Sequence, residues 1–196
     1  FSSVGTISTI AVTRISHALF SPDDSKIALF DRSQIHIHET RSGAQICSLS
    51  RAESHPMAFS SDGSQIAYVS RRSVKVADIK LGTNIATLSR DQVPSAIAFL
   101  PSRNDRLLLG GSNGNGAIDL WDLSESKKLS SFLSHSNDED ASVNGVNSIQ
   151  CHPNGESVVS SSSDGRVCWW ELDGQRLLAS FHDAGMVHQP IGQDGK

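Results

Sequence analysis

The chain repeats itself. "ALFSPDDSKIALFDRSQIHIHETRSGAQICSLS", residues 18–50, aligns without a gap with "MAFSSDGSQIAYVSRRSVKVADIKLGTNIATLS", residues 57–89. Phe20 recurs as Phe59, Ile27 as Ile66, Ile35 as Val74 and Gly43 as Gly82, each 39 residues on. A third copy, "IAFLPSRNDRLLLGGSNGNGAIDLWDLSESKKLSSFL", is stretched by "GSNGNG". The fourth, "IQCHPNGESVVSSSSDGRVCWWELDGQRLLASF", puts Cys151 in the Phe position, and its extra spacing lies in the preceding "SHSNDEDASVNG". Within each copy, short alternating or apolar runs such as "KIALF", "QIHIHE", "QIAYVS" and "VKVADI" are bounded by Gly, Asp, Asn or Ser. That pattern predicts strands and tight turns, and helical periodicity is nearly absent. A unit this short cannot bury its apolar side chains alone, so the copies must stack on one another.

Four antiparallel strands in about 40 residues is the size of one propeller blade. The expected fold class is therefore all-β, with four complete four-stranded blades and partial blades at both ends. Residues 1–15 are expected to hold the last strand of a preceding blade, because "TISTI" stands 39 residues before "QICSL". Blades one to four are expected at 16–50, 51–89, 90–133 and 146–181, with an inserted acidic loop at 134–145. Residues 182–196 are expected to start a further blade, since "IGQDG" falls where the next "FSSDG" is due. These ends predict a segment of a longer array. An open arc would expose apolar faces, which predicts self-association through the propeller ends.

Composition narrows the function classes. With 17 basic and 21 acidic residues the formal net charge is −4, which gives no electrostatic reason to expect nucleic acid or an anionic membrane as partner. The longest apolar run, "AIAFL", is too short to span a bilayer, and the first residues do not have the form of a signal peptide. Three cysteines, Cys47, Cys151 and Cys168, form no CxxC pair. An odd number argues against a disulfide framework and for a reducing, intracellular setting, with the cytoplasm expected and the nucleus left open.

"VCWWEL" in the fourth copy has counterparts in "IHIHET", "VKVADI" and "IDLWDL". Trp121-Asp122 becomes Trp170-Glu171, Ala77-Asp78 and His38-Glu39. The pattern resembles the WD-repeat β-propeller family over residues 6–195, best in copies three and four. The resemblance implies a hydrogen-bonded tetrad of His, Ser, Asp and Trp in the fourth copy, with His135, Ser162, Asp164 and Trp170 as candidates. Here the family's Gly-His is Ser-His, and a long insertion separates His135 from its strand. Buried carboxylates and indole N–H groups must be paired, so this set reads as structural and not catalytic. The resemblance further implies a non-catalytic scaffold that binds proteins or short peptides. An alternative is a propeller accompanying a catalytic domain elsewhere, since "FSSDGSQIAYVS" also resembles repeats in Tol-type and oligopeptidase propellers. A third is the sensor region of a signalling ATPase, although this chain has no P-loop.

Other residues invite sharper readings. "GGSNG", 110–114, matches the G-x-S-x-G nucleophile pattern, but a strand-to-strand turn rich in Gly is the plainer reading. His36 and His38 alternate toward one face of a strand, yet a third metal ligand is not evident. Cys151 in a Phe position reads as a small buried hydrophobe. The "NDED" loop fails the EF-hand spacing. No catalytic residue, metal or cofactor is expected. Partner contact is expected instead at exposed loops: the basic turn at Arg71 and Arg72, the turn at Asn113 and Asn115, and the acidic loop at Asp138, Glu139 and Asp140.

Overall fold

The computed structural model describes residues 14–31, 33–50, 56–90, 92–101, 103–111, 116–133, 145–182 and 185–187. Every regular element among them is a β-strand. Sheet one runs in chain order through β1 (Ile15–Phe20), β2 (Lys26–Asp31), β3 (Gln34–Glu39) and β4 (Gln45–Ser50). Sheet two holds β5 (Met57–Phe59), β6 (Gln65–Ser70), β7 (Ser73–Asp78) and β8 (Thr83–Ser89). Sheet three holds β9 (Pro94–Leu100), β10 (Arg103–Gly111), β11 (Ala117–Asp122) and β12 (Lys127–Leu133). Sheet four holds β13 (Val146–Cys151), β14 (Ser157–Ser162), β15 (Arg166–Glu171) and β16 (Arg176–His182). All neighbours are antiparallel, so the protein is the all-β array of propeller blades that the repeat predicts. Among the described residues the four sheets do not close into a ring and form an open arc.

Turn chemistry explains why strands begin and end where they do. In sheet one Ser21 Oγ donates to Asp23 Oδ1 at 2.6 Å, and the Lys26 amide donates to Ser21 Oγ at 2.9 Å. Sheet two repeats this with Ser60, Asp62 and Gln65, at 2.7 and 2.9 Å. The Ser21 hydroxyl, with help from Ser25, holds the Asp23 carboxyl well below the usual carboxylate range. The left-handed turn residue is Asp24 in sheet one, Gly63 in sheet two and Gly155 in sheet four.

The sheets stack face to face. Ala28, Phe30, Ile35 and Ile37 of sheet one meet Ile66, Tyr68 and Ile79 of sheet two. Ala67, Val69, Val74 and Val76, on the opposite face of sheet two, meet Leu107 and Leu109 of sheet three. Leu108 and Ile118 then meet Val158, Cys168 and Trp170 of sheet four. An interior strand therefore buries both faces, which is why "QIAYVS" and "RLLLGG" read as nearly continuous apolar runs.

The first strand of each sheet lies innermost. Phe20, Phe59, Phe99 and Cys151, the four equivalent repeat positions, all line one central cleft of about 500 Å³. Cys151 is only partly buried, and its thiol is pushed up to about 12 by burial, so it is an inert filler of a Phe position.

Two details differ from the sequence reading. Gly110 and Gly111 end β10 instead of sitting in a turn, and 112–115 lie outside the described residues. Gly110 is needed for close approach: a Cβ there would stand 2.8 Å from Val146 Cβ and 3.2 Å from Ala96 Cβ. Residues beyond Phe181 do not open a new sheet in the described region. Instead β17 (Gly185–Val187) folds back antiparallel on β16 as a fifth strand of sheet four. The "TISTI" and "IGQDG" segments lie outside the described residues. Gly110→Ala should destabilise the fold by about 1–3 kcal/mol through overpacking, measured by urea denaturation. An unchanged midpoint would show that sheets three and four separate easily at this point.

Candidate interaction surface

The Trp position of the repeat is filled differently in each sheet, and its cross-strand neighbour changes with it. In sheet four Trp170 pairs with Val158, and its indole Nε1 donates to Ser160 Oγ, two residues along β14, at 3.3 Å. Both side chains are buried. The indole's partner is thus Ser160 and not the expected Ser162. Ser162 Oγ instead accepts the Asp164 amide at 3.3 Å, and Asp164 Oδ1 accepts the Arg166 amide at 2.8 Å. His135 lies outside the described residues.

In sheet two the Trp position is Ala77, and Tyr68 occupies the place of Ser160. The large ring fills the space that the missing indole leaves, and its hydroxyl donates to Asn84 Oδ1 at 2.9 Å. In sheet three Leu107 stands opposite Trp121 and Leu109 takes the place of Ser160, and the buried Nε1 of Trp121 finds no hydrogen-bond partner among the described residues. In sheet one His38 takes the position, and its Nδ1 donates to Gly43 O at 3.0 Å. His36 points its Nε2 to Asp31 Oδ2 at 2.9 Å, so the two imidazoles serve separate partners. Among the described residues no group of three or more His, Cys, Asp or Glu could hold a metal.

The acidic residue after the Trp position shapes the next turn. Asp122 Oδ1 accepts the amides of Ser124 and Glu125 at 2.8 and 3.1 Å, and Asp122 also pairs with Arg106. The Ser124 hydroxyl and these neighbours push its carboxyl down to about 2. Asp78 does the same for the Leu81 amide at 2.8 Å.

One rim of the arc collects the turns between second and third strands and the connections between sheets. Arg71 and Arg72 form such a turn, both exposed, with Arg71 at φ 57°. The Arg90 amide donates to Arg72 O at 3.4 Å, tying this turn to the connection into sheet three. Asn113, Asn115, Asp138, Glu139 and Asp140 lie outside the described residues. The strand ends that flank their segments reach this same rim: Gly111 pairs with Pro94, Ala117 with Leu133, and Ser95 Oγ donates to Val146 O at 2.6 Å.

Beside Arg71 and Arg72 a polar cleft of about 500 Å³ opens between sheets two and three, and sequence reasoning missed it. Its centre is Asp119, only 6% exposed. Arg90 Nη2 donates to Asp119 Oδ2 at 2.8 Å, Ser131 donates to Asp119, and Lys128 Nζ lies 3.6 Å from Oδ1. An aspartate inside the apolar run "AIDLW" was the available signal, because a buried carboxylate demands a partner.

Residues 126–171 match the family model described as WD domain, G-beta repeat. The match begins before β12 and ends with β15, so one sequence repeat spans the outer strand of sheet three and three strands of sheet four. Residues 126–171 are thus similar to a WD repeat, and the four repeated antiparallel sheets are consistent with WD-repeat blades. A search of the curated proteins returned no match.

Ser160→Ala should cost about 1–3 kcal/mol, because it strands a buried indole donor. Ser162→Ala should cost less. Equal urea midpoints for the two variants would refute the Ser160 assignment.

Proposed function

We propose that this chain is a non-catalytic scaffold that binds proteins or peptides through the rim bearing Arg71 and Arg72, in keeping with the protein–protein interaction that WD-repeat blades serve as a class. The observation that carries this reading is the division of labour in the strands. Interior strands bury both faces against neighbouring sheets, which leaves turns and connections as the surface able to vary without unfolding the blades. Asn113, Asn115, Asp138, Glu139 and Asp140, which lie outside the described residues, are further proposed partner contacts on the strength of their loop composition alone. A reducing intracellular location, the cytoplasm first, is part of the same proposal and rests on the odd number of cysteines in the sequence and the lack of a CxxC pair.

Affinity capture with the wild-type chain and with an Arg71→Glu/Arg72→Glu variant, quantified by mass spectrometry, tests the rim. Both arginines are exposed, so the variant should melt like the wild type and lose at least one specific partner. Identical partner sets from the two baits would sink the proposal.

Self-association through the end sheets belongs to the same reading. On sheet four Val159, Val167 and Trp169 form an apolar face, with Trp169 42% exposed. At the other end Ile15, Phe20 and Ile46 are exposed, Phe20 to 58%. Size-exclusion chromatography with light scattering should find species larger than the 21.0 kDa monomer, and Trp169→Glu should shift them toward it. A wild-type chain that runs as a monomer at all concentrations would count against this.

A further inference from the structure

The cleft between sheets two and three carries the scaffold reading to a ligand class, and the inference rests on that reading. Arg90 and Asp119 form a mostly buried pair, with side chains 13% and 9% exposed, and their charges offset each other. Lys128 stands differently. It is half exposed, its Nζ is a loose 3.6 Å from Asp119 Oδ1, and its other contact is Ser131 Oγ at 3.3 Å. An ammonium has three donors to satisfy, so Lys128 has capacity left for an incoming acceptor. Ser89 and Gln92 add exposed polar groups to the lining, and the indole of Trp121 forms one wall. Arg71 and Arg72 extend the positive charge at the mouth, joined to the cleft through the Arg90 amide. Among the described lining residues Asp119 is the sole carboxylate.

We propose that this cleft receives the carboxylate of an aspartate or glutamate side chain from a bound acidic peptide, with Lys128 as its ion partner and Arg71 and Arg72 holding the peptide at the mouth. The volume suits a side chain and part of its backbone, not a bare ion. With Arg90 and Asp119 offsetting each other, Lys128 is the one unneutralised cation among the described residues lining the cleft, and a single carboxylate matches its single charge. The surface charge at the mouth steers encounter and weakens with salt.

Fluorescence anisotropy on the full 196-residue chain tests this with three labelled hexapeptides: alternating Glu and Gly, its Gln counterpart, and a version with one Glu replaced by phosphoserine. The Glu peptide should bind at least about tenfold more tightly than the Gln peptide. Lys128→Glu should cost about tenfold in affinity for it. Lys127→Glu makes the same change in net charge next door but outside the cleft, and should cost less than about threefold. Equal losses in the two lysine variants would reduce the effect to general surface charge and overturn the site. Clear preference for the phosphoserine peptide would overturn the carboxylate assignment. If Lys128→Glu is silent while Arg71→Glu/Arg72→Glu still abolishes partner capture, the cleft inference falls and the scaffold reading stands. If both are silent, both fall.

Discussion

Each interior sheet of this chain must fit two hydrophobic cores at once. Along β6, Ile66 and Tyr68 face sheet one while Ala67 and Val69 face sheet three. Along β10, Leu107 and Leu109 face back while Leu108 faces forward. Because successive side chains point to opposite faces, a slip of one residue in register would exchange the two sets and spoil two interfaces together. This requirement explains the scarcity of polar residues in these strands. It also explains why Gly110 is a glycine, since any side chain there would run into Val146 of the next sheet.

Several polar groups enter these faces where a partner or a size exchange makes room, although the Trp121 indole has no partner among the described residues. Trp170 has Ser160 for its indole, and Tyr68 fills the volume left by Ala77 and finds Asn84 for its hydroxyl. Asp119 enters the gap between sheets two and three only because Arg90 crosses from the preceding connection to meet it. That ion pair fastens one sheet to the next from outside the apolar layer. It also leaves a polar cleft beside it. The same geometry that joins the blades thereby creates the most distinctive surface feature of the rim.

At the two ends of the arc the double-sided rule is left half satisfied. Sheet four turns Val159, Val167 and Trp169 outward, and sheet one leaves Phe20 and Ile46 exposed. The fold-back of β17 on β16 covers an outer edge of sheet four, not its open face, so it answers the need for backbone pairing and leaves the apolar face as it was.

The repeat, the strand-and-turn order and the sheet-on-sheet architecture were legible from sequence, because antiparallel meanders of fixed length impose a fixed spacing on apolar and turn residues. "SPDDS" and "SSDGS" announced turns whose hydrogen bonds are local, within five residues. Local chemistry needs no knowledge of the rest of the chain. What required the tertiary structure was every contact decided by register or by the stacking of sheets. Ser160 and Ser162 lie two apart on one strand and point the same way, and only the pairing of Val158 with Trp170 places Ser160 under the indole. Arg90, in the connection after β8, and Asp119, on β11, are 29 residues apart with no motif between them. Their meeting depends on how one twisted sheet lies on another, a geometry set by the summed packing of both faces and by no single stretch of sequence.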